Sequence, residues 1–283
     1  MTTLQTLFSI VLSFRKGINV FVVIVLLVLP SLMNYSAFAQ PETIAVFSWS
    51  FKGVSYGPWR VEVPKQLYDQ YDSLSAESLW DTHNVVLSNE EQIWDYKYFS
   101  TWQDEWIREF VGVINASTSE YNYYDQAGFI LAFVQSVPYT THKERPRFPI
   151  ETIIDGGVCS DKSVLYATLM MVLGYDVVFL HFPGEGTIPD HLAVGVQGAD
   201  YSGGTSYPFN GKKYYYCETS TTSWSFGQMP DKVKNDYLGG SAVILDAYCS
   251  QPIPEFSQDK EPLVAPLMLL ILVSFVFFRR KIE

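Results

Sequence analysis

The sequence predicts an α+β fold, in which one buried helix packs on an antiparallel sheet and an extension of helices and strands precedes both. Two observations predict this fold. The stretch CSDKSVLYATLMMVLGYD carries Leu165, Leu169 and Val172 on one helical face, and Gly174 supplies a stop. Four short segments follow, YDVVFL, HLAVGV, KKYYYC and SAVILDAY, whose residue types and alternation indicate strands. A helix followed by a set of antiparallel strands is typical of α+β domains.

The part of the chain before that helix predicts the extension. Residues 44–63 alternate aromatic side chains with glycines, which indicates one or two strands. Residues 89–115 have large apolar side chains at helical spacing, which predicts a helix with an aromatic stripe in the core. The stripe consists of Trp94, Trp102, Trp106, Phe110 and Val113. The segment QAGFILAFVQSVPYT predicts another buried helix, which ends where Pro138 forbids continuation.

Two apolar runs lie at the ends of the chain. Residues 18–33 follow a basic pair and precede small residues, which is typical of a secretory signal cleaved before Gln40, although an uncleaved anchor also fits. Residues 263–278 precede the basic cluster RRK, which predicts a membrane anchor with that end inside the cell. We expect five parts. They are a signal peptide or N-terminal anchor (1–39), an extension (40–127), a core (128–250), a linker (251–262) and a C-terminal transmembrane anchor or sorting tail (263–283).

The charge of the central part narrows the choice of partners. Residues 40–262 carry 14 basic and 29 acidic residues, a net charge of −15. Such a field repels nucleic acid, so we expect no nucleic-acid partner, and it suits a domain on the extracellular side of a cell membrane. Asn115, in the triplet NAS, fits the acceptor pattern for N-glycosylation. Three cysteines and four histidines show no clustered ligand spacing, so we expect neither a metal site nor a cofactor.

Cys159 follows two glycines at the start of the predicted buried helix. Three interpretations are open: a nucleophile, one half of a disulfide, or a small apolar residue in a core. A helix N-terminus stabilises the thiolate, which is the reactive form of a thiol. Gly156 and Gly157 would let the backbone turn tightly and approach a substrate, and the amides there would donate to a developing oxyanion.

A nucleophilic thiol needs a general base, and His191 is the first candidate. It opens the strand HLAVGV, where alternation places it on one face with Ala193 and Gly195. Small neighbours would leave room for a cleft beside the imidazole. His181, in the segment FLHFPGEG, is the competing candidate, although a proline-glycine loop would hold it less rigidly.

A carboxylate that orients the imidazole is expected as the third member. Glu218 ends the strand KKYYYC on the same face as Tyr216, where an unpaired buried charge would be costly. His191 on a neighbouring strand would supply its partner. Asp190 and Asp246 are the runners-up, as loop and edge residues.

The order cysteine, histidine, acid resembles that of the transglutaminase-like superfamily, the papain-related thiol enzymes. The resemblance covers about residues 128–232 and rests on FVQSVPYTT, ETIIDGGVCSDKSVLYATLMMVLGYDVVFL, HLAVGV and YYYCETSTTSWSFGQMP. The chain most resembles archaeal exported members. Its Pro-Glu-Phe motif, apolar run and basic cluster also resemble the three-part sorting signal of archaeal surface proteins. The resemblance implies a papain/transglutaminase-like core with Cys159 as nucleophile, His191 as general base and acid, and Glu218 as orienting acid.

The implied activity is that of a cell-surface, cysteine-dependent enzyme acting on amide bonds of a protein or peptide substrate. A thioester would be resolved by water, as in a peptidase or amidase, or by an amine, as in transglutaminase-type acyl transfer. A solvated site favours hydrolysis. The alternative is a non-catalytic cell-surface domain that binds protein or glycan on the same scaffold. The family uses an additional oxyanion donor, for which Gln135 is one candidate.

The other two cysteines are expected to pair. Cys217 faces away from Glu218 on its strand, and Cys249 follows the last predicted strand. In an oxidising compartment, a Cys217–Cys249 bridge would leave Cys159 as the free thiol of an odd count.

Overall fold

The computed structural model describes residues 42–141, 143–199, 201–237 and 239–247. From Glu42 onward these residues belong to one compact unit. Within these ranges no helix combines the length and the apolar character needed to span a bilayer. The predicted N-terminal signal or anchor, the linker and the C-terminal tail lie outside the described residues, and so those predictions stay as they are.

The described chain begins with an antiparallel hairpin. Strand β1 (Glu42–Phe51) pairs with β2 (Val54–Pro64), which confirms the strands predicted within residues 44–63. The turn residues Lys52 and Gly53 have φ values of 49° and 78°, the left-handed backbone that a tight hairpin turn requires. One face of the hairpin joins the core through Phe47, Trp49, Trp59, Val61 and Val63.

Short helices and a small hairpin complete the extension. They are α1 (Lys65–Asp72), α2 (Ala76–Trp80), β3 (Asn84–Val86), β4 (Gln92–Trp94), α3 (Tyr96–Phe99) and α4 (Glu105–Ser117). The single helix predicted over residues 89–115 is therefore wrong. Helix α4 begins at Glu105 because the Asp104 carboxylate accepts a hydrogen bond from the Ile107 amide at 3.1 Å. The predicted aromatic stripe nevertheless packs in or against the core, with Phe110 buried and Trp94 part of the hairpin.

Three helices lead to the sheet: α5 (Tyr123–Ser136), α6 (Pro149–Asp155) and α7 (Cys159–Val172). The structure confirms that α5 ends before Pro138 and that α7 begins at Cys159 and ends before Gly174, whose φ is 82°. Helix α7 is central to the domain, since its residues from Ser160 to Met171 are all buried. Its apolar residues pack against α5, α6 and the sheet.

The sheet has the order β7-β8-β6-β5-β9 and every neighbouring pair is antiparallel. Its strands and the short helix near its edge are β5 (Val177–Phe182), β6 (His191–Gln197), β7 (Ser206–Phe209), β8 (Lys212–Cys217), α8 (Asp231–Asp236) and β9 (Val243–Asp246). A central helix packed on an antiparallel sheet confirms the α+β class. Strand β7 was not predicted, because Pro208 weakens the strand pattern of its residues SYPF, although Asn210 and Gly211, with φ values of 48° and 76°, form the two-residue turn that joins it to β8.

The central strands β5 and β6 are buried on both faces of the sheet, and this corrects the predicted cleft beside His191. One face packs on α7, and the other forms a second core that includes Ala193, which is fully buried. A Cβ added at Gly195 would lie 2.8 Å from Val178 Cγ2 and 2.9 Å from Tyr214 Cβ. The small residues of β6 therefore leave room for the protein's own side chains and not for a ligand.

Candidate active site

Cys159 is the first residue of α7 and is partly exposed, whereas the residues after it are buried. The carboxylate of Asp161 fixes the helix start, since its Oδ2 accepts a hydrogen bond from the Val158 amide at 2.9 Å. Its Oδ1 accepts another from the Arg147 amide at 2.8 Å. The thiol therefore lies at the positive end of the α7 dipole, with solvent access.

The two glycines before Cys159 are required for packing. Gly156 has a φ of 73°, and a Cβ there would lie 2.4 Å from the Pro138 carbonyl oxygen. A Cβ at Gly157 would lie 2.4 Å from Asp161 Cβ. The expectation that these glycines make room for a substrate is wrong, because that space is filled by the Pro138 carbonyl and by the capping aspartate.

Replacing Gly156 with alanine is expected to destabilise the domain by about 2 kcal/mol or more, because a positive φ is combined with a steric clash. Gly174→Ala is the matched control: its φ is 82° but no atom lies within 4 Å of the added Cβ. The free energy of unfolding of that variant should fall by only about 1 kcal/mol, which is the cost of a non-glycine residue in left-handed backbone. Urea unfolding would measure both, and equal losses would contradict the packing role of Gly156.

His191 is the first residue of β6, and its side chain is 11% exposed. Its ring lies near the rings of Phe182 and Tyr237, with centroid distances of 5.8 Å and 5.9 Å. Nε2 lies 3.2 Å from Glu218 Oε2 and 3.2 Å from the Tyr216 hydroxyl, and the nearby Cys159 side chain is one of the groups that raise the pKa of the ring.

Glu218 directly follows β8 and its carboxylate is buried, yet both of its oxygens are satisfied. Oε1 accepts hydrogen bonds from the Ser220 amide at 2.9 Å and from the Ser220 hydroxyl at 2.6 Å. Oε2 accepts one from the Tyr216 hydroxyl at 2.5 Å and faces His191 Nε2. The predicted pairing of Glu218 with His191 is thus present in the geometry, and the buried charge is compensated.

The electrostatics of this pair favour its charged form. Burial lowers the pKa of His191, but hydrogen bonds and charge from Cys159 and Glu218 outweigh burial and raise that pKa above the ordinary histidine value. Burial raises the pKa of Glu218, but His191, Ser220 and Tyr216 outweigh it and hold that pKa below its usual range. An imidazolium between a carboxylate and a thiol is the arrangement that stabilises a thiolate.

Lys162 is a further residue that supports the site, and it was not predicted. Its ammonium is buried and donates to the carbonyl oxygens of Gln135, Val137 and Ser220 at 3.1, 2.8 and 3.2 Å. Burial lowers the pKa of Lys162 to about 8, against the charge of Glu218. Lys162 lies three positions after Cys159 and next to Asp161 in a helix whose later part is largely apolar, and a charged residue at such a place is the signal that indicates a buried partner.

Gln135 does not serve as the expected oxyanion donor. Its Nε2 donates to the carbonyl oxygens of Glu218 at 2.7 Å and Trp224 at 2.9 Å. Both neighbours are acceptors, so the group facing them is the amide nitrogen, and both of its hydrogens are engaged. Gln135 holds the end of β8 in place.

The runner-up residues lie apart from this network. His181 is on β5 and buried, not in a loop as expected. Its Nε2 lies 3.4 Å from Asp190 Oδ2, while its buried Nδ1 has no hydrogen-bond partner. Together with Glu91 these two residues offer possible ligand atoms within 4.8 Å of one another, a group that sequence spacing does not reveal. Asp246 is exposed on β9.

The remaining predicted sites stay predictions. Cys217 is fully buried and forms no disulfide with any of the described residues; its Sγ lies 3.7 Å from the Tyr166 hydroxyl, and burial raises the pKa of its thiol to about 12. Its expected disulfide partner, Cys249, lies outside the described residues. Asn115 is exposed in the last turn of α4, not in a loop, and its side-chain oxygen accepts a hydrogen bond from Gln126 at 3.0 Å.

Comparison of the chain with models of known protein families, with curated proteins and with solved structures finds no match.

Proposed function

We propose that this chain is a thiol enzyme of the transglutaminase-like type, with a papain-related core, that acts on amide bonds of proteins or peptides. The observation that carries the proposal is the convergence of three side chains from separate elements. Cys159 at the start of α7, His191 at the start of β6 and Glu218 directly after β8 come together: His191 Nε2 lies 3.2 Å from Glu218 Oε2, and Cys159 is close enough to raise the pKa of the His191 ring. The chain order and geometry are those that nucleophile, base and orienting acid require.

The reaction follows from these roles. The Cys159 thiolate attacks the carbonyl carbon, and the electron pair of the carbonyl moves to its oxygen. As the tetrahedral intermediate collapses, the His191 imidazolium gives its proton to the leaving amine, which leaves a thioester on Cys159. The neutral imidazole then takes a proton from water, the hydroxide attacks the thioester, and the thiolate leaves. Glu218 holds the ring and stabilises its charge throughout.

Hydrolysis is the proposed outcome because Cys159 is partly exposed and water reaches the thioester. An amine acceptor in place of water would give crosslinking by the same steps. The acidic surface and the apolar terminal segments support a location at the outer face of a cell membrane.

Trapping of the acyl-enzyme tests the proposal. The full-length chain in detergent would be mixed with an activated ester and with a peptide library, quenched in acid, digested and mapped by mass spectrometry. We expect one acyl adduct, on the peptide that contains Cys159, and its release by hydroxylamine, which cleaves thioesters. Buried Cys217 serves as the internal control. A Cys159 that reacts with iodoacetamide but never becomes acylated would favour the non-catalytic binding domain.

The dependence on pH provides a further expected result. Because the pKa of His191 is raised, its proton is retained at neutral pH and lost only as pH rises through the raised value. Acyl transfer needs this proton for the leaving amine. Its rate should therefore fall as the pH rises through about 10, the raised pKa of His191, and not through the ordinary histidine value of about 6.5. Alkylation needs only the thiolate and should not fall there. A parallel alkaline fall of both rates, measured by stopped-flow kinetics, would contradict the acid role of His191.

A further inference from the structure

The proposed reaction depends on where the His191–Glu218 pair lies relative to the thiol, and the two belong to opposite faces of the sheet. Cys159 starts α7, which packs on one face. The pair contacts the second core on the other face: the His191 ring lies near Phe182, and the Tyr216 hydroxyl donates to the Glu218 carboxylate. Packing within either core alone therefore does not fix the thiol relative to the pair.

The hydrogen-bonded ladder between β6 and β8 ends before it reaches the pair. Strand β8 ends at Cys217, and the last described partners of this ladder are Val194 and Cys217. Continued by two residues, the same register would bring Leu192 opposite Thr219, which are the residues directly after the two members of the pair. At this end of the sheet, the ladder does not hold the two elements against each other.

The side chain of Ser163 joins the two elements at that point. Ser163 lies one helical turn after Cys159 on α7 and is fully buried. Its hydroxyl donates to the Leu192 carbonyl oxygen at 2.9 Å, and its Oγ lies 2.8 Å from Thr219 Oγ1. A serine hydroxyl has one hydrogen, which the carbonyl takes, so Thr219 donates to the Ser163 oxygen. One hydroxyl of α7 thus holds both residues that directly follow the pair.

Two other side chains hold the segment after β8, and they show what is particular to Ser163. Lys162 donates to the Ser220 carbonyl at 3.2 Å, and Gln135 donates to the Glu218 carbonyl at 2.7 Å. Among the described hydrogen bonds of these two side chains, none reaches β6. Ser163 therefore combines a contact with β6 and a contact with the segment after β8 on the helix that begins with the thiol.

We propose that Ser163 is a positioning residue of the proposed enzyme, which fixes the His191–Glu218 pair relative to the Cys159 thiol. Ser163 takes part in no proton transfer. Delivery of a proton needs the His191 ring within hydrogen-bond reach of the leaving amine, about 2.6 to 3.2 Å. The attraction between an imidazolium and a thiolate falls only inversely with distance. Loss of Ser163 should therefore impair proton delivery more than thiolate formation. The inference rests on the proposed function.

The test uses Ser163→Ala, which removes the hydroxyl and leaves its two partners without this contact. The full-length chain in detergent would be acylated with a peptide amide from the library and with the activated ester of the same peptide, and the adduct on Cys159 measured by mass spectrometry. The amide needs a proton on its leaving amine, whereas the activated ester does not. We expect the rate with the amide to fall about 10-fold to 100-fold, since a small misplacement is costly. The rate with the ester should stay within about threefold of wild type.

The pH dependence separates positioning from a merely structural role. Burial lowers the pKa of His191, and the contacts with Cys159 and Glu218 outweigh burial and raise that pKa to about 10. Weaker contacts in Ser163→Ala should therefore move the alkaline fall of the amide rate to lower pH. A loss of packing alone would reduce the folded fraction without moving this fall.

Three further variants serve as controls. Thr168 is buried on the same helix, and its hydroxyl donates to the Val164 carbonyl within that helix at 2.8 Å, so Thr168→Val should leave both rates and the pH dependence unchanged. Thr219→Val removes the hydroxyl that donates to Ser163 and should reproduce the effects of Ser163→Ala. Thr219→Ser keeps that hydroxyl and should behave as wild type. If Ser163→Ala does not fold, the two Thr219 variants decide the same question.

The results distinguish the inference from the proposed function. A wild-type ratio of amide to ester rates in both Ser163→Ala and Thr219→Val would overturn the inference alone. An equal fall of that ratio in Thr168→Val would overturn it as well. A wild-type Cys159 that is alkylated but never acylated would overturn the proposed function and the inference with it.

Discussion

Replacement of His191 by alanine is expected to lower the rate of Cys159 acylation by about 10³-fold to 10⁴-fold. The variant lacks the cation that stabilises the thiolate and the proton that the leaving amine needs. Alkylation by iodoacetamide should also slow at neutral pH, because a smaller share of Cys159 is then present as thiolate. The two rates would be measured on the same preparation by intact-mass analysis, with the fold checked by circular dichroism.

A matched control is available within the described residues. His83 is partly buried and its ring stacks on Tyr98, and none of its described contacts is with Cys159, His191 or Glu218. His83→Gln should change neither rate by more than about twofold, since it lacks contact with the thiol. Equal losses in both histidine variants would indicate a general loss of structure and would contradict the specific role of His191.

The residues of the candidate site could be singled out in the sequence because each follows a strong local pattern. Cys159 starts an apolar helix, His191 starts an alternating strand, and Glu218 follows a tyrosine-rich strand in the same alternation. Strand alternation correctly placed Tyr216 and Glu218 on one side, where both contact His191. Their meeting in space needs only that β6 and β8 are neighbours, which an antiparallel sheet makes probable in any α+β domain.

The sequence did not predict which atoms fill the space beside the glycines of the site. Gly156, Gly157 and Gly195 were expected beside a substrate, but their missing side chains admit Pro138, Asp161 and the sheet's second core. The atoms that fill such space come from parts of the chain that sequence alone does not bring together. A glycine indicates close approach of something, without indicating whether it is a ligand or the protein itself.

The same limit explains why the prediction of a single helix over residues 89–115 is wrong. The aromatic residues there have helical spacing because they line one core, although they belong to a strand, a turn and a helix. The break depends on the Asp104 side chain, which caps the Ile107 amide. Periodicity identified the buried residues correctly and the secondary structure only in part.

The attachment of the extension to the core depends on a buried ion pair, and its loss should have the largest effect on stability. Arg145 is fully buried, and its guanidinium contacts both Glu151 oxygens, at 2.8 and 2.9 Å. Its other N–H groups donate to the carbonyl oxygens of Tyr71 at 2.7 Å, Leu74 at 2.6 Å and Pro146 at 2.8 Å. All five donors are thereby satisfied, and two of these carbonyls belong to the extension.

Glu151→Gln is expected to lower the free energy of unfolding by about 3 to 5 kcal/mol, because it leaves the Arg145 charge buried without its partner. Urea unfolding followed by tryptophan fluorescence would measure the loss. The exposed pair Lys65–Asp69 is the matched control, and Asp69→Asn should lower the free energy of unfolding by less than about 0.5 kcal/mol.

A double variant, Arg145→Met with Glu151→Gln, removes the unpaired charge, so its loss of stability should be smaller than the sum of the two single losses. A loss below about 1 kcal/mol in Glu151→Gln would contradict the role of this pair. A second unfolding transition in that variant would show that the extension separates from the core, and the rate of Cys159 acylation in the intermediate would reveal whether the site survives without it.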